Sequence, residues 1–122
     1  MTIATNKPMT LEEYLCYDDG TDSQRYELWD GILVDMGAES EINILIGRFL
    51  AFTLSQLCSY KRVRKGTEIT VEGDLANTRI PDLVVVTEEG LAALAGRNRS
   101  LITLDMPAPC LAVEVVSCGN TD

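Results

Sequence analysis

The 122-residue chain carries 46% hydrophobic and 24% charged residues, a composition that supports one domain with a real core and excludes a disordered chain. Nineteen Asp and Glu against ten Lys and Arg leave a net charge of −9, which opposes non-specific binding to a polyanion. Histidine is absent, so Ser-His and Cys-His nucleophile pairs, an imidazole base and a His-ligated metal are excluded. Any catalysis must run on carboxylates, Lys, Tyr or a hard cation held by oxygen ligands.

The first eight residues have neither the basic nor the apolar region of a secretory leader, and no apolar run approaches the roughly 18 residues that span a bilayer. A cytoplasmic protein without a membrane segment is expected. Thr10-Leu11-Glu12-Glu13 reads as a capping box with Thr10 as N-cap, opening a short helix over 11–17. Two antiparallel strands, 25–29 and 32–36, flank Asp30-Gly31, a strong two-residue hairpin signal. From Glu41 to Tyr60 the apolar residues follow helical spacing, with Ser40 as N-cap. The scarcity of charge after Arg48 predicts burial of that helix against a sheet or a partner subunit.

Lys61-Arg62-Val63-Arg64-Lys65 is a solvated basic loop or a phosphate-contacting one. Residues 67–72 alternate as a half-exposed strand. Residues 81–86 form a buried strand with Pro81 at its start, where the missing N–H costs least. A short helix follows over 88–95, stopped by Gly96, and 110–117 reads as a second buried strand. Cys16, Cys58, Cys110 and Cys118 form no C-x-x-C pair and read as reduced, structural thiols. The order predicts an α/β fold, one domain over residues 1–122, with a mixed sheet and the long helix on one face. A buried strand as the last element leaves a sheet edge that usually needs covering, so the sheet is expected to be incomplete within this chain.

Two carboxylates fall on the apolar strands: Asp82 opens Pro81-Asp82-Leu83-Val84-Val85-Val86, and Glu114 interrupts Val113-Glu114-Val115-Val116. An ionised carboxylate in such a run needs a cation, a metal or several hydrogen bonds. If the strands are neighbours, the pair converges at one end of the sheet and suits Mg²⁺ or Mn²⁺, which take oxygen ligands and leave positions for water and a phosphate. The alternative is structural: Asp82 caps a turn and Glu114 pairs with an arginine such as Arg79. Trp29 and Tyr26 could stack on a base, but at a hairpin they read more readily as cross-strand packing residues.

Three blocks, Tyr26 through Val34, Pro81 through Val86, and Pro109 through Ser117, resemble in their order the Uma2 family of the PD-(D/E)XK restriction-endonuclease-like superfamily. The resemblance implies a restriction endonuclease-like core, C-terminally incomplete, and a Mg²⁺- or Mn²⁺-dependent nuclease that acts on DNA through a metal-activated water. It makes Asp82 and Glu114 metal ligands and catalytic residues, the backbone carbonyl of Val115 a third ligand, and Glu27 in the hairpin block a further catalytic carboxylate. For Glu27 an exposed strand carboxylate paired with Arg25 remains the alternative. The chain departs from the family pattern at Val116, where the E-x-K signature has lysine, and no lysine occurs beyond Lys65. Either the natural protein is longer, or this is a shortened member that binds metal and cleaves poorly. The competing function is a catalytically inactive homodimer that keeps the fold and pairs through helix 41–60.

Overall fold

The computed structural model describes residues 7–20 and 25–116. Thr10 caps α1 (Leu11–Leu15) as a complete capping box: its Oγ1 accepts from the Glu13 N–H at 3.1 Å and Glu13 Oε1 accepts from its N–H at 2.8 Å. The hairpin β1 (Tyr26–Trp29) and β2 (Ile32–Asp35) closes through Asp30 at φ 48° and Gly31 at φ 78°. Two successive left-handed residues match the right-handed twist of the flanking strands. Gly31 is also pressed by the incoming chain, since a Cβ there would stand 2.4 Å from Pro8 Cβ.

Helix α2 (Glu41–Leu54) starts at the Ser40 cap, whose Oγ accepts from the Asn43 N–H at 3.2 Å. It ends six residues before the expected Tyr60, where the Ser55 hydroxyl donates to the Ala51 carbonyl and the chain passes through turns into a 3₁₀ turn at Tyr60–Arg62. Seven further elements follow: β3 (Val63–Arg64), β4 (Glu68–Thr70), β5 (Thr78–Arg79), β6 (Leu83–Val85), α3 (Glu88–Leu94), β7 (Leu101–Ile102) and β8 (Leu111–Val113). The fold is mixed α+β, in line with the expected class.

The strands form two sheets rather than one. The first runs β2-β1-β5-β4-β7 and is antiparallel except for the parallel β4–β7 pair; the second is β3-β6-β8, antiparallel throughout. Val84, Val86, Leu94 and Ile102 form one buried cluster, and Tyr14, Leu28 and Leu33 form another on the hairpin. Gly96, at φ 77°, terminates the turn after α3 as expected.

Three expectations are corrected. Of the two burials expected for helix α2, the one against a sheet of this chain is not found: among its described residues only Gly47 is enclosed, while Phe49 and Phe52 are 67% and 68% exposed. Apolar residues lie all round this helix, so one packed stripe leaves the others in solvent. The 67–72 segment is not half-exposed in simple alternation, because Thr67 and Glu68 are both buried, Glu68 against Arg99 and Tyr14. The strand near Glu114 is also not a buried one, since β8 is an outer strand with Leu111 43% exposed. Ser117, Cys118 and, of the N-terminal stretch read for a leader, residues 1–6 lie outside the described residues. Among the described residues, no helix is long and apolar enough to cross a membrane.

Candidate functional site

Strand β6 carries Asp82 at its entrance and β8 delivers Glu114 at its exit. The antiparallel register pairs Leu83 with Val113, so one step further sets Asp82 across from Glu114. Neither carboxylate sits inside a strand: Asp82 is half-buried just before β6 and Glu114 is exposed just after β8. Their placement at the strand ends is what the apolar runs permit, because the side chains can meet in a cleft without crossing the core.

Asp82 Oδ2 accepts the Val115 N–H at 2.5 Å. A carboxylate bound to a backbone N–H makes a short, charge-assisted bond, and here it fixes the peptide that follows Glu114. The Val115 carbonyl accepts from Asn43 Nδ2 at 3.3 Å, tying the same segment to the first turn of α2. Asp82, Glu114, Val115, Ser40, Asn43 and Arg25 line a cleft of about 190 Å³.

Partial burial of the Glu114 carboxyl raises its pKa above the ordinary value, and the Asp82 and Glu27 carboxylates raise it further, while Arg25 opposes them. Glu27 is the more deeply placed group, 3% exposed on β1. Its Oε2 accepts the Ile80 N–H at 2.6 Å and its Oε1 accepts the Trp29 indole N–H at 2.9 Å. It lies behind the cleft wall: its charge reaches Glu114, and its oxygens tie β1 to the segment leading into Pro81 and Asp82.

The structural alternatives raised by the sequence are not what these residues do. Asp82 bonds across to Val115 instead of capping its own turn, and Arg79 donates to the Leu28 and Thr78 carbonyls instead of pairing with Glu114. The exposed-carboxylate alternative for Glu27 gives way to a buried, doubly bonded one, and Arg25 pairs with Glu39 at 3.8 Å. Arg79 lies over the Trp29 ring at 3.7 Å, which favours the packing role for that indole. In the basic stretch, Arg62 Nε donates to the Val86 carbonyl and Arg64 Nε to Thr67 Oγ1, so two of its four cations brace the fold.

Among the described residues, no group of three or more Cys, Asp or Glu side chains is arranged to hold a metal ion. The cleft instead offers the Asp82 and Glu114 carboxylates, a third, Glu39, that pairs with Arg25, one backbone carbonyl and a side-chain amide. Mg²⁺ is ordinarily bound through one or two carboxylates while keeping several waters, and this donor set fits that mode. Arg25 and Asn43 carried no sequence signal, because an arginine before a hairpin and an asparagine in a helical pattern have no motif of their own. Glu68 was hidden by the regular alternation around it.

Residues 11–122 match the model of a family, Uma2, whose description reads "Putative restriction endonuclease". The mixed α+β arrangement is consistent with a restriction endonuclease-like fold. No curated protein matches the chain.

Proposed function

Because the chain belongs to the Uma2 family, we propose that it is a divalent-metal-dependent nuclease whose centre is the Asp82–Glu114 cleft, with DNA as its substrate. The observation that carries this reading is the Asp82–Val115 bond across β6 and β8, which holds two carboxylates side by side at the mouth of a cleft. Asp82, Glu114 and the Val115 carbonyl would hold Mg²⁺ or Mn²⁺. When bound, the ion supplies a lowered water pKa and neutralises charge on the scissile phosphate.

The chain's own groups prepare the site in three ways. Asp82 fixes the Val115 peptide, so that the carbonyl and Glu114 are presented together. Glu27, locked by Ile80 and Trp29, adds negative charge behind Glu114 and positions the turn into Asp82. The N-terminus of α2, capped by Ser40 at the cleft edge, contributes positive potential where a phosphodiester would approach, while Arg25 is engaged with Glu39 on the same rim.

The test is Mn²⁺ titration by calorimetry into the wild-type chain and the Asp82→Asn and Glu114→Gln variants. Saturable binding that each substitution reduces at least tenfold supports the reading; binding indifferent to both removes it. Cleavage of plasmid DNA with and without Mg²⁺ then examines the activity.

A second reading, a non-catalytic homodimer, is favoured by one observation: Ile42, Phe49 and Phe52 on α2 are all more than half exposed.

A further inference from the structure

Asn43 occupies the third position of α2, its backbone N–H held by the Ser40 cap, and its side chain reaches into the wall of the Asp82–Glu114 cleft. Its Nδ2 donates to the Val115 carbonyl at 3.3 Å. Its Oδ1 is fully buried and has no hydrogen-bond partner among the described residues. Turning the amide over does not remedy this, because Oδ1 would then face the Val115 carbonyl oxygen, acceptor against acceptor.

A buried amide oxygen without a partner is costly and calls for an explanation. The charged groups it shares the cleft with are Asp82 and Glu114, which are acceptors when ionised, and Arg25, which pairs with Glu39 on the same rim. Of the partners this cleft can supply, the Ser40 hydroxyl, a water or a cation, only a cation also answers the two carboxylates beside it. A neutral amide oxygen is a hard donor of the kind that completes a shell built on one or two carboxylates.

Resting on the metal-site reading above, we propose that Asn43 is part of the divalent-cation site: Oδ1 is a neutral oxygen ligand to the ion, while Nδ2 holds the Val115 carbonyl in place. Helix α2 thus carries a functional side chain in its first turn, and three separate elements, β6, β8 and α2, assemble the site.

The experiment is calorimetric Mn²⁺ titration of the full chain as wild type, Asn43→Ala, Asn43→Asp and Asp82→Asn, each first shown to be folded by its thermal melt. Expected are a loss of about tenfold or more in affinity for Asn43→Ala and a smaller loss for Asn43→Asp, which keeps an oxygen at the position but gives up the hold on Val115. Affinity of Asn43→Ala within about twofold of wild type, with binding abolished by Asp82→Asn, overturns the proposal and leaves the metal-site reading intact. Binding by Asn43→Asp no tighter than by Asn43→Ala also overturns it, because loss of the hold on Val115 then explains the effect. Asn43→Leu serves as the oxygen-free reference if Asn43→Ala does not fold. Wild-type and Asp82→Asn chains that titrate alike overturn both the proposal and the reading it rests on.

Discussion

Glu114 is a carboxylate held in unfavourable company. Partial burial, then Asp82 and Glu27, raise its pKa above the ordinary 4.5, so the folded protein binds its proton more tightly than the unfolded chain does. Its contribution to stability is therefore fully present below the ordinary carboxylate range and is lost as pH rises through the folded value. Glu114→Gln is expected to be more stable than wild type at neutral pH, with the difference vanishing in acid; urea melts across pH 3.5 to 7 check it, and an unchanged gap across that range removes the electrostatic account. Saturating Mn²⁺ should stabilise wild type and not the Gln variant. Glu68, 4% exposed, has the Arg99 guanidinium at 2.9 Å as its charged partner. Arg99→Met is expected to cost about 2 kcal/mol in chemical denaturation, the penalty of a buried group losing its charged partner, reduced because Arg99 itself is partly solvated.

At the scale of elements, local chemistry and tertiary contact agree in the hairpin. Asp30-Gly31 supplies the left-handed turn, and the chain from Pro8 packs onto it, with the Met9 N–H donating to the Gly31 carbonyl at 2.8 Å and the Gly31 N–H to the Ala76 carbonyl at 2.8 Å. Gly31→Ala suffers twice, from φ 78° and from the 2.4 Å approach of Pro8 Cβ. It should lower stability by about 1–3 kcal/mol, read as a shift of the urea midpoint at unchanged slope; a neutral result means that the Pro8 segment moves away freely. Caps were equally legible: the residues at Thr10 and Ser40 cap as their sequence context predicts. The two-residue strands β3, β5 and β7 were not, since two residues cannot display a period of two and their pairing is set by neighbours distant in the chain.

For the whole molecule, the open question of assembly turns on α2. Ile42, Phe49 and Phe52 on it are more than half exposed, and this is the surface that the homodimer reading pairs. Under the homodimer reading, Phe49→Asp converts a dimer into a monomer, measured by light scattering across a concentration series. A chain that is monomeric at every concentration before substitution removes that reading and leaves the cleft as the seat of function. The two readings separate cleanly because Phe49 does not line the Asp82–Glu114 cleft.

The chain by itself determined the hairpin, the caps, the buried run Leu83–Val86 and the identity of the two cleft carboxylates, because each is written in residues that are adjacent or at short, regular spacing. Which strands pair, that Asp82 takes the Val115 N–H, that Glu27 turns inward onto Ile80, and that Asn43 reaches the same cleft were decided only by the tertiary structure. Those contacts join residues tens of positions apart. Their energies depend on burial and on which partner is within reach, and neither quantity is a property of any one segment.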